Sequence, residues 1–554
     1  MHRTTARAAL CALAILATMG TLGACTKAEK GESTDTSQSQ LENVNLIESD
    51  EPGRAGGKIN YGLIAETDGW NPTNSRWAAS GQEVAKAVYD TLVGYDENLD
   101  WQPNLAESLV PNDDSTVWVI TLRAGVTFHN GSPVTGAAVA ESMNLIKVSP
   151  LTSRPFEPVE KIEATGPLEL TVTMKETWTN FPFALTTQIG VVADPEWLKT
   201  NDTRTPIGTG PFEFTSWEPG KQLTVTKNPD YWRDGYPLLD EVVFIPFPDE
   251  GTRGNAMQTG DIDIMQSTTG TQLAKFKKLA SDGAGYQVVN DPEGETSEVM
   301  IMLNTKQPPL DDPVAREALA YATDSDAYIA LQGDGQYQSA EGPFAPSSPW
   351  YADTDYPRYD LVKAKQLVEQ VKAANGGTFS VTISNTPSPE STAGTALIQS
   401  QWAEAGVDVT IETVDQTQLI AAVVVGNYQA TNWQQFDSPH PLGDSIWWHP
   451  NASAPLGEFA LNFARNEDEA IGAELDAARK TTDKAEERAH YQEVMRLLAQ
   501  DIPYIWLYHS QISIIAQDNL VNIVNYTLPD GVPGLELHGG SHPLWQIWLE
   551  PVAG

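Results

Sequence analysis

Cysteine is nearly missing from this chain. Two occur in 554 residues, Cys11 and Cys25, both within the first 25 positions. A disulfide framework or a Cys-ligated metal site in the body of the protein is thereby excluded. Positive charge is also scarce: 34 Lys and Arg face 74 Asp and Glu, for a formal net charge of −40. A nucleic-acid binder needs a basic face to neutralise phosphates, so that class is excluded. Electrostatic adhesion to an anionic membrane is disfavoured for the same reason. Past the first turns of the chain, no run approaches the roughly 18 apolar residues that cross a bilayer.

What is plentiful points the other way. The chain is 40% hydrophobic, with 16 Trp, 17 Tyr and 14 Phe, a composition that builds cores. At about 100–200 residues per domain, its length allows roughly three to five lobes.

The opening residues read as an address. Arg3 and Arg7 precede an apolar run at 8–19, and Leu22-Gly23-Ala24-Cys25 follows. At about 1.5 Å per residue that run reaches about 18 Å, short of a hydrocarbon core of about 30 Å. A positive start, a short apolar stretch and a small-residue exit describe a secretory signal. Residues 26–55 are polar and poor in apolar side chains, the composition of a flexible linker.

The body alternates strand and helix signals. Leu168, Leu170, Val172 and Met174 alternate with polar residues, as do Val407, Val409 and Ile411, which predicts half-buried strands. Residues 117–120 are apolar on both faces and predict a strand at a sheet centre. Asp312-Pro313 and Asp360 open helices, and Tyr491, Val494, Met495 and Leu498 mark another.

Catalytic and cofactor motifs do not assemble. Gly220-Lys221 lacks the rest of a phosphate loop, and the Gly208-Thr209-Gly210-Pro211 stretch has proline where a dinucleotide-binding helix needs donors. Asp96, Asn98, Asp100 and Glu107 have the spacing of a calcium loop, but Trp101 stands where its sharp turn needs glycine, leaving a polar hairpin turn. There is no His-Glu-x-x-His pair and no Gly-x-Ser-x-Gly elbow. With 74 acids, some pair of carboxylates at hydrolase spacing is inevitable and uninformative.

Five segments, in order, carry a resemblance. They are 87–93 with 103–108, 122–131, 207–212 with 228–232, 257–263, and 304–309 with 314–319. Together they resemble the peptide- and nickel-type (family 5) solute-binding lipoproteins of ABC importers, which include oligopeptide- and dipeptide-binding proteins. In that family Leu-Gly-Ala-Cys is the lipoprotein box, which would make Cys25 the lipidated N-terminus of a mature protein on the outer face of the cytoplasmic membrane. The implied fold is α/β, with two periplasmic-binding-protein-like lobes joined by a hinge and an extra inserted lobe. The implied division is a signal at 1–24 and a lipidated linker at 25–55. Lobe I spans 56–91, 191–298 and 516–554, the inserted lobe II 92–190, and lobe III 299–515.

The resemblance implies a receptor with no catalytic step, no cofactor and no metal. It would take a short peptide from an interlobe cleft to a permease and its ATPase, and act as a monomer. By family position the ligand-facing residues are Trp433, Phe436 and Asp437, with Thr67 and Trp70 at the exit of the first strand, Asn304 at the start of lobe III, and Trp447 as a further aromatic. In peptide-binding relatives an Asp near such a Trp pairs with the ligand's α-ammonium. Asp437 stands shifted from that spacing and equally suits a turn before Pro439, while Trp433 suits a stacking platform or core. Within the family an oligosaccharide or a metal chelate is the alternative ligand. From another class, a cell-surface hydrolase using two carboxylates is the competing expectation.

Overall fold

A computed structural model describes residues 42–149, 152–290, 297–332, 337–436 and 438–550. The signal segment, Cys25 and Asp437 lie outside the described residues, as does the side chain of Phe436.

Two mixed sheets dominate. The seven-stranded sheet runs Tyr286–Val289, Ser513–Gln517, Ile264–Ser267, Lys58–Leu63, Glu241–Pro246, Gln222–Lys227 and Phe212–Glu218. Its middle strand Lys58–Leu63 is parallel to both neighbours, and the pairs outside them are antiparallel. The six-stranded sheet runs Gln338–Ser339, Tyr504–Ser510, Ser297–Leu303, Ala430–Phe436, Ser380–Asn385 and Asp408–Thr413. Strand Ser297–Leu303 is buried at every position, as expected for a strand covered on both faces. A third, antiparallel sheet of four strands (Ala106–Pro111, Val117–Leu122, Glu169–Met174, Val159–Gly166) has its own core around Trp118, Phe156 and Trp178. The molecule is thus a two-lobed α/β fold with an extra inserted lobe.

The chain crosses between the two large sheets twice. One crossing leaves Tyr286–Val289 for Ser297–Leu303. The other returns from Tyr504–Ser510 to Ser513–Gln517 through two residues, Gln511 and Ile512. Short paired crossings of this kind are where hinge motion concentrates.

Local signals explain many elements. Asp312 accepts the N–H of Val314 at the head of helix Pro313–Ala322, and Asp360 accepts those of Val362 and Lys363 at the head of Leu361–Ala374. Strand Glu169–Met174 alternates half-buried and buried as its sequence does. Strand Val117–Leu122 is interior to its sheet, yet only Trp118, Ile120 and Leu122 are fully buried, because the opposite face is only partly covered. The calcium-like loop is a turn: Asp96 Oδ1 accepts the N–H groups of Asn98 and Asp100, and Oδ2 accepts Gln102 Nε2. Gly208 and Gly210 form a packing seam. A Cβ at Gly208 would stand 2.1 Å from the Val88 carbonyl oxygen, and one at Gly210 2.4 Å from the Val88 carbonyl carbon. Helix Ala79–Val88 can end against this segment because both positions lack side chains.

Residues 42–55, expected to belong to the linker, pack on lobe I instead. Val44 pairs with Val288, Asn45 Nδ2 donates to the Tyr286 carbonyl, Ile47 N–H donates to Gln287 Oε1, and Ser49 exchanges hydrogen bonds with Asn522. Leu46 and Ile47 supply apolar contacts to the lobe I core and to Trp548. Scattered apolar residues among polar ones hide this segment from a composition argument.

His509 gives the fold a pH dependence. It is buried on strand Tyr504–Ser510, and neither ring nitrogen has a hydrogen-bond partner among the described residues. Desolvation lowers its pKa to about 4. The unfolded chain, with a histidine near its ordinary value, binds the proton more readily, so this stability is present above about pH 6.5 and is lost as pH falls toward 4. His509→Leu is expected to flatten the decline in unfolding free energy across that window by up to about 1.4 kcal/mol per pH unit. Parallel pH profiles for the two proteins in urea titrations would contradict this.

Candidate functional site

On the lobe III side, strand Ala430–Phe436 carries Trp433, whose ring meets Phe463 edge-on at 5.5 Å. Trp447, on the short helix Ser445–Trp448, leans on the other side of the cluster, 5.4 Å from Phe463. Trp433 and Trp447 are both half-buried, so the cluster is an aromatic wall with an open side. Trp433 Nε1 donates to Gln435 Oε1, which leaves the indole face as its contact surface. The neighbouring Trp448 is buried and packs on Phe344, so the tryptophan pair divides into one wall residue and one core residue.

The candidate residues of lobe I follow strand Lys58–Leu63. Thr67 is half-buried, with its hydroxyl 3.4 Å from Asp68 Oδ1. Trp70 is buried, packs edge-on against Trp217 at 5.6 Å and anchors Tyr89 through its carbonyl. Its Nε1 has no partner among the described residues. Asn304 is fully buried: Nδ2 donates to the carbonyls of Gly426 and Tyr428, and Oδ1 accepts the Lys306 N–H. Those bonds tie two loops of lobe III together. The structure therefore brings Trp433 and Trp447 to one surface, keeps Trp70 and Asn304 inside their lobes, and leaves Asp437 undescribed.

Several residues at the lobe boundaries carried no sequence signal. Tyr337 stacks on Tyr508 at 4.3 Å and reaches across to lobe I, donating to the Thr268 carbonyl at 2.8 Å and accepting the Gly270 N–H at 3.0 Å. Burial pushes the Tyr337 hydroxyl up to about 12, so it stays a neutral donor at any ordinary pH. Arg76, from the loop before helix Ala79–Val88, lies over Trp447 with its guanidinium carbon 5.8 Å from the ring centre.

Lobe II also touches lobe III. Thr179 N–H donates to the Arg479 carbonyl at 2.9 Å, Asn180 Nδ2 to Glu487 Oε1 at 2.7 Å, and Phe183 stacks on His440 at 3.8 Å. Arg479 and Lys480 both meet Glu176, and Lys484 meets Asp100. All three lobes are thus in contact. Among the described residues, no group of three or more His, Cys, Asp or Glu is placed to hold a metal ion. Nor does any helix among them have the length and apolarity to cross a membrane.

Ligand sites of multi-lobed α/β proteins prefer the boundaries between lobes, which is where Arg76 of lobe I meets Trp447 of lobe III. Comparison with known proteins places the chain in a family of that kind. Residues 100–454 match the middle region of the bacterial extracellular solute-binding proteins, family 5. The glutathione-binding protein GsiB of Pectobacterium atrosepticum is 30% identical over 469 residues, covering 81% of this chain and 88% of that protein. Among solved structures, the periplasmic binding protein AgaA of A. tumefaciens R10 in complex with agropinic acid superposes with a TM-score of 0.77 at 25% identity, covering 89% of this chain and 99% of that one. The oligopeptide-binding protein AppA of Bacillus subtilis, solved with a nonapeptide, has the same fold, with a TM-score of 0.75 at 24% identity, covering 90% of this chain and all of that one. The chain belongs to family 5 of the bacterial extracellular solute-binding proteins.

The two kinds of residue separate in a mutational test. Asn304→Ala strips a partner from buried backbone groups and is expected to cost about 1–3 kcal/mol of stability. Trp447→Ala removes a half-exposed ring and is expected to lower ligand affinity with a smaller effect on melting temperature. A melting temperature that drops more for Trp447→Ala than for Asn304→Ala would reverse the assignment.

Proposed function

We propose that this protein is the extracytoplasmic receptor of an ABC importer, taking a short peptide into the interlobe cleft and delivering it to a permease driven by an ATPase. The observation that carries the reading is the half-buried wall of Trp433, Phe463 and Trp447 on lobe III, met from lobe I by Arg76. Such a wall accepts varied side chains by apolar contact, while backbone hydrogen bonds fix the peptide's course. The similarity to a glutathione-binding relative supports the ligand class. Solved structures of the same fold hold the peptide STSA and a nonapeptide.

In this reading Trp433 and Phe436 line the side-chain pocket, Asp437 pairs with the α-ammonium, and Trp447 closes the wall. Thr67 and the backbone near Trp70 border the peptide from lobe I, while Asn304 sets the loop positions from within lobe III. The lobe divisions at residues 91, 190, 298 and 515 mark where the moving bodies join. Lipid on Cys25 tethers a monomer to the outer face of the cytoplasmic membrane. The protein binds and releases its solute without changing it.

The test uses protein unfolded and refolded to strip bound solute. Free short peptides are expected to raise the melting temperature and their N-acetylated forms to raise it little. A ligand at 100 times its dissociation constant adds about 2.7 kcal/mol. Recovery of the peptide intact after long incubation is expected of a receptor. Hydrolysis products, or a response to oligosaccharides or metal chelates alone, would overturn the proposal.

A further inference from the structure

Residues 42–49 form a strap that runs along lobe I to the place where the chain leaves for lobe III. Most of its bonds cover the edge strand of the seven-stranded sheet, through Val44 on Val288, Asn45 on Tyr286 and Ile47 on Gln287. Its first two residues do something further. Asn43 Oδ1 accepts the N–H of Asn290 at 2.9 Å, and the Glu42 carbonyl accepts Asn290 Nδ2 at 2.6 Å. Asn290 directly follows strand Tyr286–Val289 and opens the first crossing. Its side-chain oxygen accepts the hydroxyl of Ser513 at 3.0 Å, and Ser513 is the first residue of the strand that the second crossing enters. Asn290 and Ser513 are both fully buried.

The other half of the Asn43 amide reaches the second crossing by a separate route. Its Nδ2 donates to Glu536 Oε2 at 3.1 Å. Glu536 belongs to the C-terminal loop that carries Gly540, and a Cβ at Gly540 would stand 2.2 Å from Ile512 Cγ2. Gly540 is held there: its carbonyl accepts Gln266 Nε2 at 2.7 Å, and its φ of +68° suits glycine. One asparagine side chain thus bonds the root of the first crossing with its oxygen and, with its nitrogen, the loop that backs the second. Covering the sheet edge needs neither bond, since neither partner belongs to the edge strand. An amide whose donor and acceptor are both matched fixes orientation as well as distance.

We propose that the strap is a hinge brace: Asn43 holds the roots of both crossings in place, and the segment that leads from the membrane tether into the fold thereby governs how lobe III turns against lobe I. This rests on the receptor reading, in which the lobes hinge and Cys25 carries the tether. Holding the roots confines the turn to the crossings themselves, so lobe III swings about a defined axis. Without the brace, lobe III samples orientations that do not bring its aromatic wall to the solute, and the liganded arrangement is held for a shorter time.

The test is hydrogen exchange, read by mass spectrometry, on the ligand-stripped mature protein and on Asn43→Ala and Asn45→Gly. Asn45→Gly removes a strap bond of the same kind, from Nδ2 to the Tyr286 carbonyl, at a position whose φ of +55° glycine accepts. Asn43 is half-buried and Asn45 exposed, so both variants are expected to fold with similar melting temperatures. Asn43→Ala is expected to raise exchange across residues 510–514 about 10-fold, the scale of one lost hydrogen bond, and Asn45→Gly to leave that stretch unchanged. Equal exchange there in wild type and Asn43→Ala, or an equal rise in both variants, overturns the brace and leaves the strap as edge cover. Trialanine is the ligand probe. Its dissociation is expected to be faster from Asn43→Ala than from wild type, and unchanged in Asn45→Gly. The same dissociation rate from all three proteins overturns the link between strap and closure. Absence of trialanine binding by wild type counts against the peptide reading, and exchange across 510–514 then decides the brace by itself.

Discussion

The double crossing between the two large sheets is the constraint on which the rest depends. Each sheet completes a core of its own, one around strand Ser297–Leu303 and Trp402, the other around strand Lys58–Leu63 and Phe244. What joins them is two short stretches of chain, the second only Gln511 and Ile512 between paired strands. Among the described residues no single hydrophobic cluster spans both sheets, and the lobes meet through contacts such as Tyr337 on Thr268 and Arg76 on Trp447. Boundaries of this kind are where ligand sites of hinged α/β proteins form.

The energetics of that boundary suit a switch. The ion pairs of Glu176 with Arg479 and Lys480, and of Asp100 with Lys484, are partly or largely exposed, and each contributes about 0–1 kcal/mol. The Phe183–His440 stack and the Asn180–Glu487 bond are better buried but few. Tyr337 adds a strut between lobes near the second crossing. Where boundary contacts are this weak, a ligand with modest differential affinity for one arrangement is enough to shift a two-state population. The inserted lobe takes part directly, since its residues Gln188 and Ser149 fix the Arg76 loop while Asn180 and Phe183 meet lobe III.

Local order was legible in the sequence, and long-range placement much less so. Asp312 and Asp360 announce their helices because capping is a contact between near neighbours. The alternation through Glu169–Met174 predicts its own burial for the same reason. Segment order along the chain was enough to indicate the family. Exposure within a cleft is different, because it depends on how separate lobes sit. Trp70 and Trp447 are both tryptophans at family-matched or aromatic-rich positions, and one is buried while the other is half-buried beneath Arg76. Asn304 carries a ligand-contact signature, yet its amide is saturated by Gly426 and Tyr428, partners more than a hundred residues away. Phe463 and Arg76 gave no local sign, because their significance comes from Trp433 and Trp447, which only the fold brings to them. Residues 42–55 show the same limit, since their partners Val288, Gln287 and Asn522 lie far along the chain.

The central claim is that the lobes hinge about the double crossing and close on a solute. Small-angle X-ray scattering of the mature protein, stripped and then saturated with a binding peptide, addresses it most directly. The expected result is a smaller radius of gyration with ligand than without it. Identical curves with and without a ligand whose binding is independently established would contradict it.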